Sequence, residues 1–180
     1  MRLWTIQDEA VYNTIITEGK YRCDGSKSVH LESDKFKKAY AWLVKKMEEK
    51  LGQIPDGIEY PVWAWAFKPD LRKSCWCASG KKCVRIEFEI DEKDIFITDY
   101  GNWHCALNDF PFFDIEDDDE WEKVYREFCL LRGDDYTKAL EKSWEGFIYS
   151  EIPSDEHRAQ ITFWELKKEQ IKKVHHFISR

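Results

Sequence analysis

The chain has 180 residues, of which 43% are hydrophobic and 35% charged, and its formal net charge is −7 at neutral pH. This composition supports the core of one domain, predicted over residues 1–180, and argues against a disordered chain. The negative charge disfavours non-specific binding to nucleic-acid backbones or anionic membranes. No apolar run approaches the ~18 residues of a membrane span, and no signal-peptide core is evident, so a cytoplasmic location is expected.

Hydrophobic periodicity and capping residues predict a series of strands and helices. In chain order these are a strand at 3–6, helices at 8–19 and 33–52, strands at 61–67, 84–91 and 95–98, helical turns at 102–108, helices at 121–131 and 134–144, a strand at 159–166 and a helix at 169–178. Segment 84–91 alternates apolar and charged residues, and we expect segment 95–98 to be its hairpin partner. Because strands and helices do not alternate strictly, we predict an α+β fold: a small mixed, mainly antiparallel sheet with flanking helices.

Aromatic residues are abundant, with 9 Trp, 8 Tyr and 11 Phe. Each buries a large area, and Trp and Tyr also carry a polar group that needs a partner. In a domain of this size, so many rings indicate a deep core, an aromatic-lined pocket, or both. Trp63 and Trp65 alternate in the strand at 61–67 and are expected on one of its faces.

The six cysteines are expected to be reduced, because nothing in the sequence directs the chain to an oxidising compartment. Cys75, Cys77 and Cys83 could hold zinc with His30 or His104 as a fourth ligand. Their spacing is not a usual zinc-site spacing, and we expect ordinary loop cysteines and no bound metal.

Familiar catalytic signatures, such as a P-loop, a dinucleotide-binding glycine motif and a nucleophile elbow, do not occur in the sequence. A polar loop at 68–72 follows the Trp-rich strand. Arg72 presents a planar fork that suits a phosphate or a carboxylate. Two interpretations stay open: Arg72 binds a ligand, or it pairs with Asp70 and fixes the loop.

A second polar segment joins a strand to a short helix. Asp99, Trp103, His104 and Asn108 form a polar-aromatic cluster there, and the last two share one helical face because they are four residues apart. The cluster is a candidate binding site. The alternative is that Asp99 or Asn102 caps the helix.

The predicted strand at 159–166 contains a candidate catalytic carboxylate. On a continuous strand Glu165 shares one face with Ile161 and Phe163, and Gln160 lies on the other. If the face of Glu165 is covered, its carboxylate is either paired or raised in pKa. The alternative is a solvated carboxylate at the strand end.

Taken together, these segments resemble an uncharacterised bacterial family classified as a domain of unknown function. The shared features are the start Met-Arg-Leu-Trp-Thr-Ile-Gln, the strand at 60–65, the loop at 68–72, the strand at 86–89, the junction at 99–108 and the closing strand at 160–166. The resemblance covers nearly the whole chain. It implies a small bacterial cytoplasmic protein and brings no established activity.

The two ends of the chain also resemble the ADP-ribosyltransferase superfamily. In that superfamily a short strand and a helix ending in Gly open the domain, the antiparallel sheet is split, and a late strand carries a catalytic Glu. The resemblance implies that Glu165 holds the nicotinamide ribose of NAD, and that Thr5 or Gln7 contacts its nicotinamide or adenosine side. This sequence departs from the superfamily in lacking a Ser-Thr-Ser run and an evident central Tyr motif, for which Tyr60 is the candidate.

These considerations lead to the hypothesis of an NAD-dependent ADP-ribosyltransferase or NAD glycohydrolase acting without a metal. Glu165 is the candidate catalytic residue. The candidate cofactor-binding residues are Trp4, Thr5, Gln7, Arg22, Tyr60, Trp63, Trp65, Arg72, Asp99, Trp103, His104, Asn108 and Gln160. The partners would be a small-molecule nucleotide and an unidentified macromolecular acceptor. The alternative is a non-enzymatic module whose aromatic cleft binds a nucleotide or another ligand.

Overall fold

The computed structural model describes residues 1–25, 33–73 and 77–180. Its strands are β1 (Arg2–Asp8), β2 (Lys20–Arg22), β3 (Val62–Trp65), β4 (Lys82–Glu89), β5 (Phe96–Asp99), β6 (Ile148–Tyr149), β7 (Ala159–Phe163), β8 (Glu165–Lys167) and β9 (Ile171–Ile178). Its helices are α1 (Glu9–Glu18), α2 (Asp34–Leu51), α3 (Trp103–Leu107), α4 (Asp118–Phe128) and α5 (Gly133–Trp144). The predicted α+β class is confirmed.

Within the described residues, seven strands form one antiparallel sheet in the order β6-β5-β7-β3-β1-β4-β9. Strand β1 lies between β3 and β4, although these strands are far from it in sequence. Strands β2 and β8 form a separate two-stranded sheet. The long sequence separations mean that the sheet forms only when the two ends of the chain meet.

The two faces of the large sheet are covered by different helices. On one face Leu3, Phe88 and Phe163 pack with Ile15 of α1. On the other face Phe96 packs with buried residues of α2, α3 and α5. The sheet is therefore the middle layer of the fold, with one apolar cluster on each side.

Helices α1 and α2 end where the sequence predicts. Gly19 has a φ of 79° and donates its backbone N–H to the carbonyl of Ile15, and Gly52 has a φ of 86° and donates to Glu48. Positive φ angles favour glycine, so both positions stop their helices. No helix in the described ranges has both the length and the apolar character required to cross a membrane.

The helix predicted at 169–178 is wrong, because this segment is β9 and pairs with β4. The prediction relied on Ile171 and Val174, whose spacing of three suggests a helix. In the structure the register shifts between Glu87 and Phe88, so that Ile171 pairs with Phe88 and Val174 with Ile86. The irregularity inserts one residue and brings both apolar side chains to one face of the strand.

Two strand predictions also need correction. Strand β5 does not form a hairpin with β4: it pairs with β6 and β7, while β4 lies between β1 and β9. The predicted strand at 159–166 is divided at Trp164 into β7 and β8, which belong to different sheets. Pairing partners depend on contacts between distant segments, and local periodicity does not encode them.

Replacement of Phe163 tests the packing of the sheet on α1. Phe163 is fully buried and its ring centroid lies 5.2 Å from that of Phe88. We expect Phe163→Ala to lower the free energy of unfolding by about 3–5 kcal/mol, measured by denaturant titration. The control Leu130→Ala, at a residue that is 76% exposed, should change it by less than ~0.5 kcal/mol. Equal effects of the two variants would contradict this core.

Candidate functional site

A cleft of about 410 Å³ lies beside the place where β1 and β3 separate. These two fully described strands share a single register pair, Trp4 with Trp65, and then diverge. The cleft is lined by Thr5, Ile6, Gln7, Trp63, Trp65, Phe67, Lys68, Asp70, Lys73, Tyr100 and His157. The opening in the sheet thus exposes polar groups of β1 beside aromatic groups that follow β3.

Side chains of β1 supply the polar wall of the cleft. The buried hydroxyl of Thr5 donates a hydrogen bond to the carbonyl of Trp63 at 2.8 Å. The side-chain amide of Gln7 donates to the Thr5 hydroxyl at 2.9 Å. The two side chains therefore connect the diverging strands, and their orientation is fixed by hydrogen bonds.

Aromatic rings form the opposite wall. Trp63, Trp65 and Phe67 are spaced two residues apart and all line the cleft, and the rings of Trp65 and Phe67 lie 5.5 Å apart. The ring of Trp65 meets that of Tyr100 edge-on at 4.9 Å, and the ring of Phe67 lies 4.1 Å from that of His157. Since Tyr100 and His157 are exposed, this wall offers ring surfaces to a ligand that enters from solvent.

The loop after Phe67 forms a charged rim. Lys68 and Lys73 are exposed there. Arg72 pairs with Asp70 through Nε at 2.9 Å and Nη2 at 2.7 Å, so the structure realises the internal pair considered from the sequence. The side-chain and backbone hydrogen bonds from Arg72 lower the pKa of Asp70 to about 2. The loop is also tied to the sheet, because Nη1 of Arg85 donates to the carbonyl of Pro69 at 2.7 Å.

Asp99 is the centre of a hydrogen-bond network next to Tyr100, a residue that lines the cleft. Its carboxylate accepts hydrogen bonds from the Tyr149 hydroxyl at 2.5 Å, from Nη2 of Arg158 at 2.6 Å and from the backbone N–H of Asn102 at 2.8 Å. Burial acts to raise the pKa of Asp99, but these hydrogen bonds outweigh it and leave the pKa below its ordinary value. Burial and the bond to Asp99 together raise the pKa of Tyr149 to about 12.

This network is a positioning device for two residues of the cleft. Tyr100 follows Asp99 directly, and its backbone N–H donates to the carbonyl of Arg158 at 2.7 Å. His157 precedes Arg158 in the same 3-10 turn. Asp99 therefore links the backbone segments that carry Tyr100 and His157 without being a lining residue itself.

The other members of the predicted polar-aromatic cluster are separated from Asp99. Trp103 is buried in the core against Tyr40 and Phe147. His104 Nδ1 bonds to the carbonyl of Tyr100 at 3.1 Å, and the Asn108 amide donates to the carbonyl of His104 at 2.8 Å. The three residues support α3 and its surroundings, and they lie outside the described lining of the cleft.

The rings of Tyr60, Trp63 and Trp103 all contact the ring of Tyr40 in the core. The ring of Tyr40 in α2 meets Tyr60 at 5.6 Å, Trp63 at 6.0 Å and Trp103 at 5.7 Å, each time edge to face. Trp63 alone among the three also lines the cleft. The Tyr40 contacts therefore connect the core on α2 to the cleft.

Two further predicted residues lie on the sheet beside the cleft. The indole N–H of Trp4 reaches Glu87 at 3.4 Å. Gln160 lies between Trp65 and Thr98 in the strand register and is buried. The side-chain oxygens of Gln160 and Thr98 are both buried without a hydrogen-bond partner among the described residues. Such oxygens are costly to bury, and these two lie on β7 and β5, in register with Trp65.

Glu165 lies in the small sheet, where its carboxylate is paired with cations. Its nearest partner is Nε of Arg22 at 3.0 Å, followed by Lys167 at 3.7 Å and Lys20 at 3.9 Å. Arg22 also donates to the carbonyl of Asp56 at 2.8 Å. The expected apolar face shared with Ile161 and Phe163 is not formed, since the strand ends before Glu165. Neither Glu165 nor Arg22 is among the described lining residues of the cleft.

The sequence matches the family model of a domain of unknown function, DUF3841, over residues 2–172. The chain belongs to the DUF3841 family. The match includes every strand up to β8, all the helices described above and the whole cleft. It confirms the resemblance to an uncharacterised family, whereas the ADP-ribosyltransferase resemblance stays a prediction. A comparison with curated proteins finds no significant match.

Several lining residues of this DUF3841 domain were not selected from the sequence. Phe67 could have been, because it continues the alternation of Trp63 and Trp65 by two positions. Tyr100 and His157 carry no local signal, since the pairing of β5 with β7 brings their segments together. The same holds for Arg158, whose partner Asp99 lies 59 residues away.

Replacement of Asp99 tests the network behind the cleft. We expect Asp99→Asn to lower the free energy of unfolding by about 1–3 kcal/mol at pH 7, because Tyr149 and Arg158 lose a charged acceptor. Since the folded-state pKa is depressed, the stabilisation by Asp99 is present above about pH 4 and is lost as the pH falls through the folded-state pKa. The difference between wild type and variant should therefore shrink in acid.

The measurement is denaturant unfolding at pH 7 and at stepwise lower pH. Asp94→Asn is the control, because Asp94 is exposed in a turn. Its effect should be small at every pH. A penalty for Asp99→Asn that stays constant down to strong acid would contradict the role assigned to the charge of Asp99.

Proposed function

We propose that this DUF3841 domain binds a nucleotide in the cleft between β1 and β3, with NAD as the leading candidate. The observation that carries the proposal is the combination of an aromatic wall, a hydrogen-bonding wall and a rim with two exposed lysines in a single cleft. A nucleotide has the three matching parts: a planar base, polar base edges and a phosphate.

The aromatic wall suits the planar base. The rings of Trp65, Phe67, Tyr100 and His157 present both faces and edges within one cleft. Stacking of a base on such rings contributes about 1–3 kcal/mol per base and tolerates different bases. Ordering these rings on binding costs little, because Tyr100 already packs against Trp65 and His157 against Phe67.

The polar wall can recognise a base edge. Gln7 uses its side-chain N–H to bind Thr5, so the orientation of its amide is set and its carbonyl oxygen remains able to accept a hydrogen bond. An exocyclic amino group, as on adenine, or the carboxamide of nicotinamide can supply the donor. This arrangement favours a ligand with an amino or amide group on a planar ring.

The rim suits the phosphate. Although the whole chain has a charge of −7, the rim residues Lys68, Arg72 and Lys73 outnumber the one acidic residue there, Asp70. The local charge is therefore positive, and it attracts an anion at short range. The volume of about 410 Å³ lies near the lower end of the ~300–1,000 Å³ of small-molecule sites. We infer that the cleft encloses one nucleoside unit of NAD and that the remainder extends along the rim.

The second candidate function is NAD-consuming catalysis, as ADP-ribosyl transfer or NAD hydrolysis. It is supported by the position of the cleft where two antiparallel strands separate, since the resemblance implies a split sheet carrying Thr5 and Gln7. In this reaction the bond between ribose and nicotinamide breaks, nicotinamide leaves with the electron pair, and an acceptor side chain or water bonds to the ribose carbon and releases its proton to solvent. Glu165 would stabilise the positive charge on the ribose, for which it must leave Arg22 and the ribose must extend beyond the lining residues of the cleft to reach it.

Ligand-dependent unfolding tests the binding proposal. Millimolar NAD, AMP and inorganic phosphate are added separately, and thermal unfolding and tryptophan fluorescence are recorded. A nucleotide at about 100 times its Kd adds roughly 2.7 kcal/mol of stability, which is a shift of a few degrees in Tm. We expect this shift with NAD or AMP, and a much smaller one with phosphate alone.

Variants locate the binding site. Trp65→Leu should weaken nucleotide binding at least tenfold, and Lys68→Ala should weaken it severalfold with a reduced salt dependence. The matched controls are Trp121→Leu on α4 and Lys93→Ala in the turn before β5, neither of which lines the cleft. Binding that survives Trp65→Leu, or no Tm shift with any nucleotide, would overturn the proposal.

Nicotinamide release tests the catalytic candidate separately. If Glu165 acts on NAD, the wild type releases nicotinamide and Glu165→Gln lowers the rate at least about 100-fold with unchanged NAD binding. Lys167→Gln is the control, because it removes one cation from the same carboxylate and should leave the rate within severalfold. NAD binding without nicotinamide release in the presence of water and a cell extract as acceptor would exclude this function while preserving the binding proposal.

A further inference from the structure

Two cysteines and an aspartate meet at the end of the large sheet, outside the cleft. Their ligand atoms, the sulfurs of Cys77 and Cys83 and a carboxylate oxygen of Asp8, all lie within 4.8 Å of one another. Asp8 and Cys83 face each other in the register of β1 and β4, with Sγ 3.9 Å from Oδ1. Cys83 is buried, Cys77 is half-buried and Asp8 is exposed, so an ion can enter from solvent.

The backbone holds Cys77 over this position. The hydroxyl of Ser179 donates to the carbonyl of Cys77 at 2.9 Å. Two backbone bonds, from Gly80 to Ser179 and from Ser179 to Lys81, tie the same loop to the chain end after β9 at 2.9 Å each. The three donors are thus brought together by three separate parts of the chain: β1, β4 and the tethered loop.

The distances suit a tetrahedral metal ion. With Zn–S bonds of ~2.3 Å and a Zn–O bond of ~2.0 Å, tetrahedral ligand atoms lie ~3.5–3.8 Å apart. The observed spacings reach this range with movements of about 1 Å or less. The other carboxylate oxygen of Asp8 is 3.3 Å from Nζ of Lys81, which orients the carboxylate and adds a positive charge beside the site.

We propose that Asp8, Cys77 and Cys83 form a Zn²⁺ site. Two thiolates and one carboxylate are a donor set that zinc accepts, and water completes the fourth position. On binding, each thiol transfers its proton to solvent as its sulfur bonds to the ion. The site carries a net charge of −1, which the nearby Lys81 offsets. The ion connects the loop before β4 to β1, and the site does not depend on the proposed nucleotide site.

The site differs from the zinc ligand set considered from the sequence. His104 is not part of it, because that side chain bonds to the carbonyls of Tyr100 and Gly101. Cys75 and His30 lie outside the described residues. Asp8 becomes a ligand through the pairing of β1 with β4, and its short-range sequence context contains no metal motif.

The test is metal binding by the full chain, kept reduced with a phosphine. Purified protein is stripped with a chelator and titrated with Zn²⁺, and with Co²⁺ as a spectroscopic probe. We expect one equivalent of tightly held Zn²⁺ and a rise of several degrees in Tm. Co²⁺ should give thiolate-to-cobalt charge-transfer absorption together with the visible bands of a tetrahedral ion.

Variants separate this site from general thiol binding. Cys77→Ser should lower Zn²⁺ affinity at least about 100-fold, and Asp8→Asn at least about tenfold. Cys105→Ser and Cys129→Ser are matched controls that should bind as the wild type does. Because Cys83 is buried and its replacement could impair folding, Cys77→Ser and Asp8→Asn decide the outcome. Zn²⁺ affinity unchanged in either variant, or less than about a tenth of an equivalent in the wild type, would overturn the proposal.

Discussion

The limited pairing between β1 and β3 is the constraint on which the rest of the structure depends. The only register pair between these two described strands is Trp4 with Trp65. At the next position of β1 the hydroxyl of Thr5, and not the backbone, donates a hydrogen bond to β3, at the carbonyl of Trp63. Full pairing would close the gap and remove the cleft. On its other side β1 pairs with β4 along its whole length. The strand is thus anchored on one edge and open on the other.

This asymmetry explains why two candidate sites lie along one strand. Thr5 and Gln7 lie where β1 has no register pair with β3, and there they supply polar groups to the aromatic cleft. Asp8 lies at the end of the strand, where the register with β4 brings it to Cys83. A single short segment near the start of the chain therefore contributes to both proposed sites, which are separated because they use different edges of β1.

The walls of the cleft are connected to the residues that lie behind them. Asp99 connects the end of β5 to the turn that carries His157, and Tyr40 of α2 packs against Trp63 from the core. Gln160 and Thr98 leave buried oxygens without partners beside the same wall. Unsatisfied buried groups cost stability, and the two well-packed apolar clusters on either side of the sheet offset that cost.

The sequence by itself determined the α+β class, the helices that end at Gly19 and Gly52, and the alternation that brings Trp63 and Trp65 to one face, because periodicity and capping act over a few residues. Tertiary structure alone decided which strands pair, and therefore which residues come together at the two proposed sites. Ile171 and Val174 have helical spacing, yet an irregularity in β9 places them on one face of a strand. Contacts between distant segments also bring His157 to the cleft, Glu165 to Arg22 and Asp8 to Cys83. The local sequence does not encode the free energies of these contacts.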